Sequence, residues 1–200
     1  MGFRYEIRLS GSGGQGLILM GIILAEAIGI YEGKFVAQTQ SYGPEARGGS
    51  SKSEVIVSDE EIDYPKAMKL DVLLAMNQKS CDEFSPDLKP EGLLIVDSTF
   101  VTQLPIPRAF QIPFTRIARE KFKREVVANI IALGALSQLC PIISPRAVES
   151  AVLARVPKGT EKLNRDALKA GMAAAKRAKK EWGQTELPRE VPKEDLLDSY

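Results

Sequence analysis

Over residues 4–9 apolar Tyr5, Ile7 and Leu9 alternate with charged Arg4, Glu6 and Arg8. That period of two predicts a strand with one face buried. A glycine-rich stretch follows, and then the apolar run Leu17 to Ile30 predicts a core helix over 15–28 that stops near Gly29. Phe35 to Thr39 reads as a second strand, 40–49 as a polar loop, and Ser53 to Ser58 as a third strand. Asp71–Met76 and Gly92–Ser98 are short continuous apolar runs, the pattern of strands covered on both faces. A helix over 77–84 would join them. Ala109–Pro113 is a weaker strand, placed at an edge by its proline. Beyond Thr115 the chain turns helical, over Glu125–Leu139, from a Ser144-Pro145 start to about Val156, and from Thr160 to about Trp182.

This order predicts an α/β fold: a Rossmann-like, open, mixed but mostly parallel sheet flanked by helices, with a helical C-terminal part. The pair 35–39 and 53–58 is the antiparallel candidate. Residues 1–182 read as one domain. Residues 183–200, broken by Gly183, Pro188 and Pro192, read as an extended or poorly ordered tail.

Composition narrows the chemistry. The 200 residues contain no histidine, which removes His-activated nucleophiles and His metal ligation. A net charge of +1 supplies no bulk attraction to nucleic acid or membrane. The apolar run at 17–30 is too short to span a bilayer and carries Glu26, and Met1–Tyr5 leads directly into the first strand. A cytoplasmic protein is the expectation. Cys81 and Cys140 match no metal or cluster spacing and are expected as buried free thiols. The lysines and arginines of the last helix form either a solvated face or a contact for an acidic partner.

The chemistry-bearing stretch is Gly11-Ser12-Gly13-Gly14-Gln15-Gly16, a G-x-G-x-x-G between strand and helix. Its glycines suit a tight turn, a close ligand approach and helix packing, and the helix start offers unpaired N–H groups to an anion. A purely structural turn would read the same way. An NAD site also needs an acid at the end of the second strand, where Gln38-Thr39-Gln40-Ser41 stands instead. Glu32 precedes that strand, and no Lys-Ser/Thr follows the glycines to make a P-loop. The second candidate is the loop with Ser41, Tyr42, Gly43, Glu45, Arg47 and Gly48. Its guanidinium suits a phosphate or carboxylate, and ligand contact and subunit interface both remain open.

Together Gly11–Gly16, Gln40-Ser41-Tyr42-Gly43-Pro44-Glu45-Ala46-Arg47-Gly48-Gly49, Ser53-Glu54-Val55-Ile56 and Ile62-Asp63-Tyr64-Pro65 resemble the gamma subunit of 2-oxoacid:ferredoxin oxidoreductases over about residues 4–180. Tyr42 and Ala46 resemble the 2-oxoglutarate or branched-chain branches more than the pyruvate branch. The resemblance implies a multisubunit enzyme that oxidatively decarboxylates a 2-oxoacid to an acyl-CoA and reduces ferredoxin. Alpha and beta subunits, and a ferredoxin-like delta subunit, are the implied partners. Thiamine diphosphate, Mg²⁺ and iron–sulfur clusters are then expected in those partners, because this chain lacks their signatures. Coenzyme A is the ligand implied for this chain. Gly11, Ser12, Gly13, Gly14, Gln15 and Gly16 would cradle a phosphate, and Arg47 with Lys52 would neutralise its charge. Tyr42 would offer a ring or hydroxyl. No catalytic or metal-binding residue is assigned. A scaffold subunit without a ligand and an independent NAD enzyme are the rival readings.

Overall fold

The first strand runs further than its alternation suggests. In the computed structural model, which describes residues 3–42, 50–106 and 108–182 (backbone alone at Ser50), β1 spans Arg4–Ser12 and takes in the first residues of the glycine motif. Gly11 and Ser12 still pair with Ser51 and Ser50 of β3 (Ser50–Ser58). Helix α1 (Leu17–Gly29) follows, then β2 (Phe35–Tyr42). Ser41 and Tyr42, expected in a loop, are therefore ladder residues, paired with Lys52 and Ser51. Their polarity hid them: β2 is an edge strand with little of either face covered, so alternation is weak. Gly43, Glu45, Arg47 and Gly48 lie outside the described residues, as does the 183–200 tail.

The remaining elements are β4 (Leu70–Ala75), α2 (Gln78–Phe84), β5 (Leu88–Asp97), β6 (Ala109–Ile112), α3 (Phe114–Ile117), α4 (Ala128–Leu139), α5 (Pro145–Arg155) and α6 (Glu161–Trp182). The sheet order is β2-β3-β1-β4-β5-β6. β3 runs antiparallel to both β2 and β1, and the β1-β4-β5-β6 pairings are parallel. The mixed, mostly parallel sheet is as expected, with β6 at an edge. The helix expected over 125–139 begins later, because residues 118–127 form a π turn and a 3-10 turn before α4.

One face carries the larger core. Ile7 and Leu9, Val55 and Val57, Val72 and Leu74, with Ile95 and Ile112, pack on α1, α4 and α5. Helix α4 is buried over Ala128–Ser137, between the sheet and the Ala167–Ala175 stripe of α6. The two helices touch backbone to backbone. A Cβ on Gly171 would land on the Ile131 carbonyl, and one on Gly134 on the Leu168 carbonyl. Ser144 caps α5 by accepting from the Ala147 amide at 3.3 Å. On the outer side of α6, Lys162, Lys169, Lys176, Lys179 and Lys180 are exposed.

The opposite face has two halves. Under β4 and β5, Leu73, Ala75, Leu94 and Val96 pack on Cys81 and Phe84 of α2. Under β1 and β3 the inward positions are Glu6, Arg8, Ser10 and Glu54, with Ile56 among them, all buried. Phe84 of α2 stacks on the Arg8 guanidinium, which lies 4.8 Å from its ring centroid. Residues 64–69 cover the rest, held by charged side chains. Glu6 accepts from the amides of Met68 and Lys69 at 2.6 and 2.9 Å. Arg4 donates to the carbonyls of Tyr64 and Lys66. Arg8 donates to the Ala67 carbonyl while Glu54 accepts from the Ala67 amide, both at 3.4 Å. Buried charge is tolerated where each group is paired. Here Arg8 Nε lies 2.8 Å from Glu54 and its Nη1 pairs with Asp87.

Candidate functional site: the glycine turn at the sheet's switch point

Helix α1 leaves β1 toward one face, and α2 leaves β4 toward the other. The crevice between the carboxyl ends of those two parallel neighbours is where an open α/β sheet binds ligands. The Met76 amide donates to the Ser10 carbonyl at 2.8 Å and closes the base of that crevice. Above it lies a cavity of about 250 Å³ lined by Gly14, Gln15, Met76, Thr115, Glu125, Val126 and Ala128.

The turn is built by its own side chains. Gln15 folds back, accepting from the Ser12 amide at 2.7 Å and donating to the Met76 carbonyl at 3.4 Å. A Cβ on Gly11 would collide with that amide, so the first glycine makes room for Gln15. Gln15, expected in the phosphate cradle, braces the turn and also lines the cavity. Gly14 and Gly16 adopt φ of +91° and +75°, a left-handed region that favours glycine. No side-chain atom lies near Gly14, so its backbone faces open space. Gly16 instead abuts the amide of Asn129 on α4, so the third glycine packs against a helix later in the chain rather than against β1. Gly16 also heads α1 with no side-chain cap, which leaves the first N–H groups of the helix to a ligand.

The neighbouring groups are set as acceptors and braces. Asn77 caps α2 through the Ser80 amide at 2.8 Å and donates to Ser12 Oγ at 2.7 Å. The Ser12 hydroxyl keeps its own O–H for a ligand. Asp97, wholly buried, accepts from the Thr115 amide at 3.0 Å and hydroxyl at 2.6 Å, which fixes Thr115 at the cavity wall. Glu125 pairs with Arg119 at 2.7 Å. Asn77, Thr115 and Asn129 were not singled out in the sequence. Asn77, an Asn just before an expected helix, carried a readable capping signal. Asn129 showed only as a lone amide in an apolar run.

Tyr42, the last described residue before 43–49, lies near the glycine turn. Tyr42 pairs with Ser51, which pairs with Gly11, so Tyr42 and the glycine turn stand two strand spacings apart, about 10 Å. Tyr42 is two-thirds exposed there. Glu32 is at the opposite end of β2, where it accepts from the Ser144 amide at 2.8 Å. It cannot act as a ribose-binding acid. Both cysteines are free and buried. Burial, and then Asp82, push the Cys81 thiol up to about 11, and burial raises Cys140 beside the Tyr5 hydroxyl. Neither is a thiolate at neutral pH. Among the described residues no group of three His, Cys, Asp or Glu could hold a metal ion. The site offers backbone donors and hydroxyls: binding chemistry rather than bond-making chemistry.

Residues 6–174 match the family of pyruvate ferredoxin/flavodoxin oxidoreductases. The chain belongs to that family. Within it the likeness is to gamma-type subunits of 2-oxoacid oxidoreductases. The 2-oxoglutarate synthase subunit KorC of Methanocaldococcus jannaschii is 50% identical over 177 residues, 86% of this chain and 95% of the relative. The KorC subunit of Methanothermobacter marburgensis is 47% identical over 176 residues, 84% of this chain and 95% of the relative. The solved gamma subunit of a keto/oxoacid ferredoxin oxidoreductase from Geobacter sulfurreducens matches with a TM-score of 0.80 at 50% identity, covering 88% of this chain and 98% of its own. A 2-oxoglutarate:ferredoxin oxidoreductase from Magnetococcus marinus, solved with 2-oxoglutarate, coenzyme A and succinyl-CoA bound, matches with a TM-score of 0.77 at 26% identity. That match covers 87% of this chain and 31% of the other, so there a domain of this fold is part of a longer polypeptide. This oxidoreductase chain is thus a subunit of a multisubunit enzyme, and none of its described helices is long and apolar enough to cross a membrane.

Proposed function

We propose that this gamma-type subunit binds and positions coenzyme A in a 2-oxoglutarate:ferredoxin oxidoreductase. The observation that carries the reading is the uncapped head of α1 behind Gly14, opening on the switch-point cavity, in a strand–turn–helix unit without the NAD acid. A phosphate of the coenzyme would accept from the backbone N–H groups of the turn, with Ser12 as a hydroxyl donor. Gln15, Asn77 and Asn129 would hold the turn without touching the ligand. Gly43, Glu45, Arg47 and Gly48 follow Tyr42 in the sequence, and Arg47 is assigned the remaining phosphate charge. The contribution to rate is positioning: the coenzyme's thiol is brought to an intermediate held by another subunit.

Thiamine diphosphate, Mg²⁺ and the iron–sulfur clusters are assigned to alpha, beta and delta partners. Ferredoxin is the electron acceptor of the complex, which works in the cytoplasm. The cofactors would supply decarboxylation and electron transfer there. The domain is taken as 1–182, with 183–200 as a tail. The coenzyme A, 2-oxoglutarate and succinyl-CoA bound to the Magnetococcus enzyme support the choice of coenzyme and 2-oxoacid.

Calorimetric titration of the assembled enzyme and of this chain with coenzyme A, with NAD as control, tests the reading. Saturable heat with the coenzyme and none with NAD is expected, and Arg47→Ala should raise the KM for coenzyme A about tenfold or more while leaving that for the 2-oxoacid unchanged. Heat with NAD, or a coenzyme that binds only complexes lacking this chain, would overturn it.

A further inference from the structure

The charged side chains beneath β1 and β3 do more than anchor residues 64–69. They leave a groove of about 330 Å³ between that segment and the β2–β3 hairpin, lined by Thr39, Gln40, Ser41, Lys52, Glu54 and Lys66, with Pro65 beside them. Arg8 satisfies the Glu54 carboxylate at 2.8 Å and also pairs with Asp87. Lys52 approaches Glu54 less closely, at 3.5 Å, and its ammonium rests 5.3 Å above the Phe84 ring. Lys66 is exposed, and no ion pair is formed by it among the described residues. Its backbone is nonetheless fixed, because its carbonyl accepts from Arg4 at 3.1 Å and the next amide donates to Glu54. Two cations (Lys52, Lys66) and one carboxylate (Glu54) line the groove, and Arg8, outside the lining, pairs with both Glu54 and Asp87. The excess positive charge sits at the groove, beside the hydroxyls of Thr39 and Ser41.

We propose that this groove is a phosphate-binding site, separate from the glycine turn. Two ammonium groups on fixed backbone, with the Ser41 hydroxyl in the same lining and the Thr39 hydroxyl donating to Glu54, suit a phosphate monoester or diphosphate. Carboxylate neutralisation by Arg8 from below is what allows an anion to approach Glu54. The groove and the turn are neighbours: Lys52 pairs with Ser10, two residues before Ser12. Two residues of strand span about 7 Å along the sheet, and the groove opens on the face away from α1, so a ligand that reaches both passes around the carboxyl end of β1. The 3′-phosphate of coenzyme A is therefore one source, an identification that rests on the coenzyme reading above; a free phosphate ligand is the other.

Titration of the full chain with inorganic pyrophosphate tests the site. Saturable binding is expected, weakened about tenfold or more in Lys66→Gln and in Lys52→Gln, and restored in Lys66→Arg. Lys66→Gln should leave the thermal midpoint unchanged, which separates loss of the site from loss of the fold. No saturable binding, or binding indifferent to both glutamine substitutions, would overturn the site. The source is read in the assembled enzyme from KM values for coenzyme A and its 3′-dephospho analogue. If Lys66→Gln abolishes the preference for coenzyme A, the groove holds the 3′-phosphate. If pyrophosphate binding is lost while that preference persists, the site stands with a free phosphate ligand. Coenzyme A that fails to bind while pyrophosphate binds normally would remove the coenzyme reading and leave the groove intact.

Discussion

The two faces of the β1–β3 pair solve opposite problems with alternate residues of the same strands. Ile7, Leu9, Val55 and Val57 point toward α1 and form a dry core. Glu6, Arg8 and Glu54 point the other way, equally buried, yet each is spent on hydrogen bonds to an irregular segment. Apolar burial is non-directional and tolerates repacking. Charge-assisted hydrogen bonds fix one loop in one place. The comparison teaches that the helical face supplies stability, whereas the charged face supplies geometry beside the candidate phosphate groove.

The strongest way to break this contrast is Glu54→Ala. It leaves Arg8 with Asp87 as its carboxylate partner and removes the acceptor of the Ala67 amide, and should cost about 3 kcal/mol in denaturant unfolding. The double replacement Arg8→Met with Glu54→Leu should recover most of that stability, yet make residues 64–69 sensitive to limited proteolysis. A double variant with that segment still protected would show that the charges do not hold it. Next comes the helical face. Gly171→Ala drives a methyl into the Ile131 carbonyl and should cost about 1–3 kcal/mol, because the close approach of α4 and α6 cannot relax locally. An unchanged unfolding midpoint would mean the two helices separate freely.

The smallest effect touches both faces and is silent at neutral pH. Cys140 and Tyr5 lie on the helical side and Cys81 on the other, and burial raises the pKa of all three, Cys81 to about 11. The folded state then holds protons that the unfolded chain releases from about pH 9 upward. Stability should be level below pH 8 and fall as pH climbs from about 9 toward 11. Unfolding curves at pH 7.5, 9 and 10.5 check this, and Cys81→Ala should flatten the slope in that window. A rise in stability over that range would contradict the sign.

Much of the fold was legible because its signals are local. The continuous runs at 71–76 and 92–98 announced strands covered on both faces, and Ser144-Pro145 announced the start of α5. The glycine spacing located the turn between β1 and α1, and the absent acid after β2 argued against NAD. What stayed hidden depends on residues distant in sequence. The bracing role of Gln15 depends on the Met76 carbonyl, 61 residues on, which accepts from its amide. Asn129 looked like an interruption of an apolar helix, and is the neighbour that requires Gly16 to be glycine. Ser41 and Tyr42 read as loop because an edge strand imposes little pattern of its own.

The sequence by itself determined the order of strands and helices, the glycine turn, the absence of histidine chemistry and the family likeness, since period, spacing and composition are properties of the chain alone. Tertiary packing alone showed that Gly11 makes room for Gln15 and Gly16 for Asn129, and that Gly14 faces open space. It alone showed why Glu6, Arg8 and Glu54 are buried, and it brought Lys52 and Lys66 to one groove. Those facts arise where segments tens of residues apart pack in a low-dielectric interior, and there a charge or an amide takes its meaning from whichever partner the fold delivers.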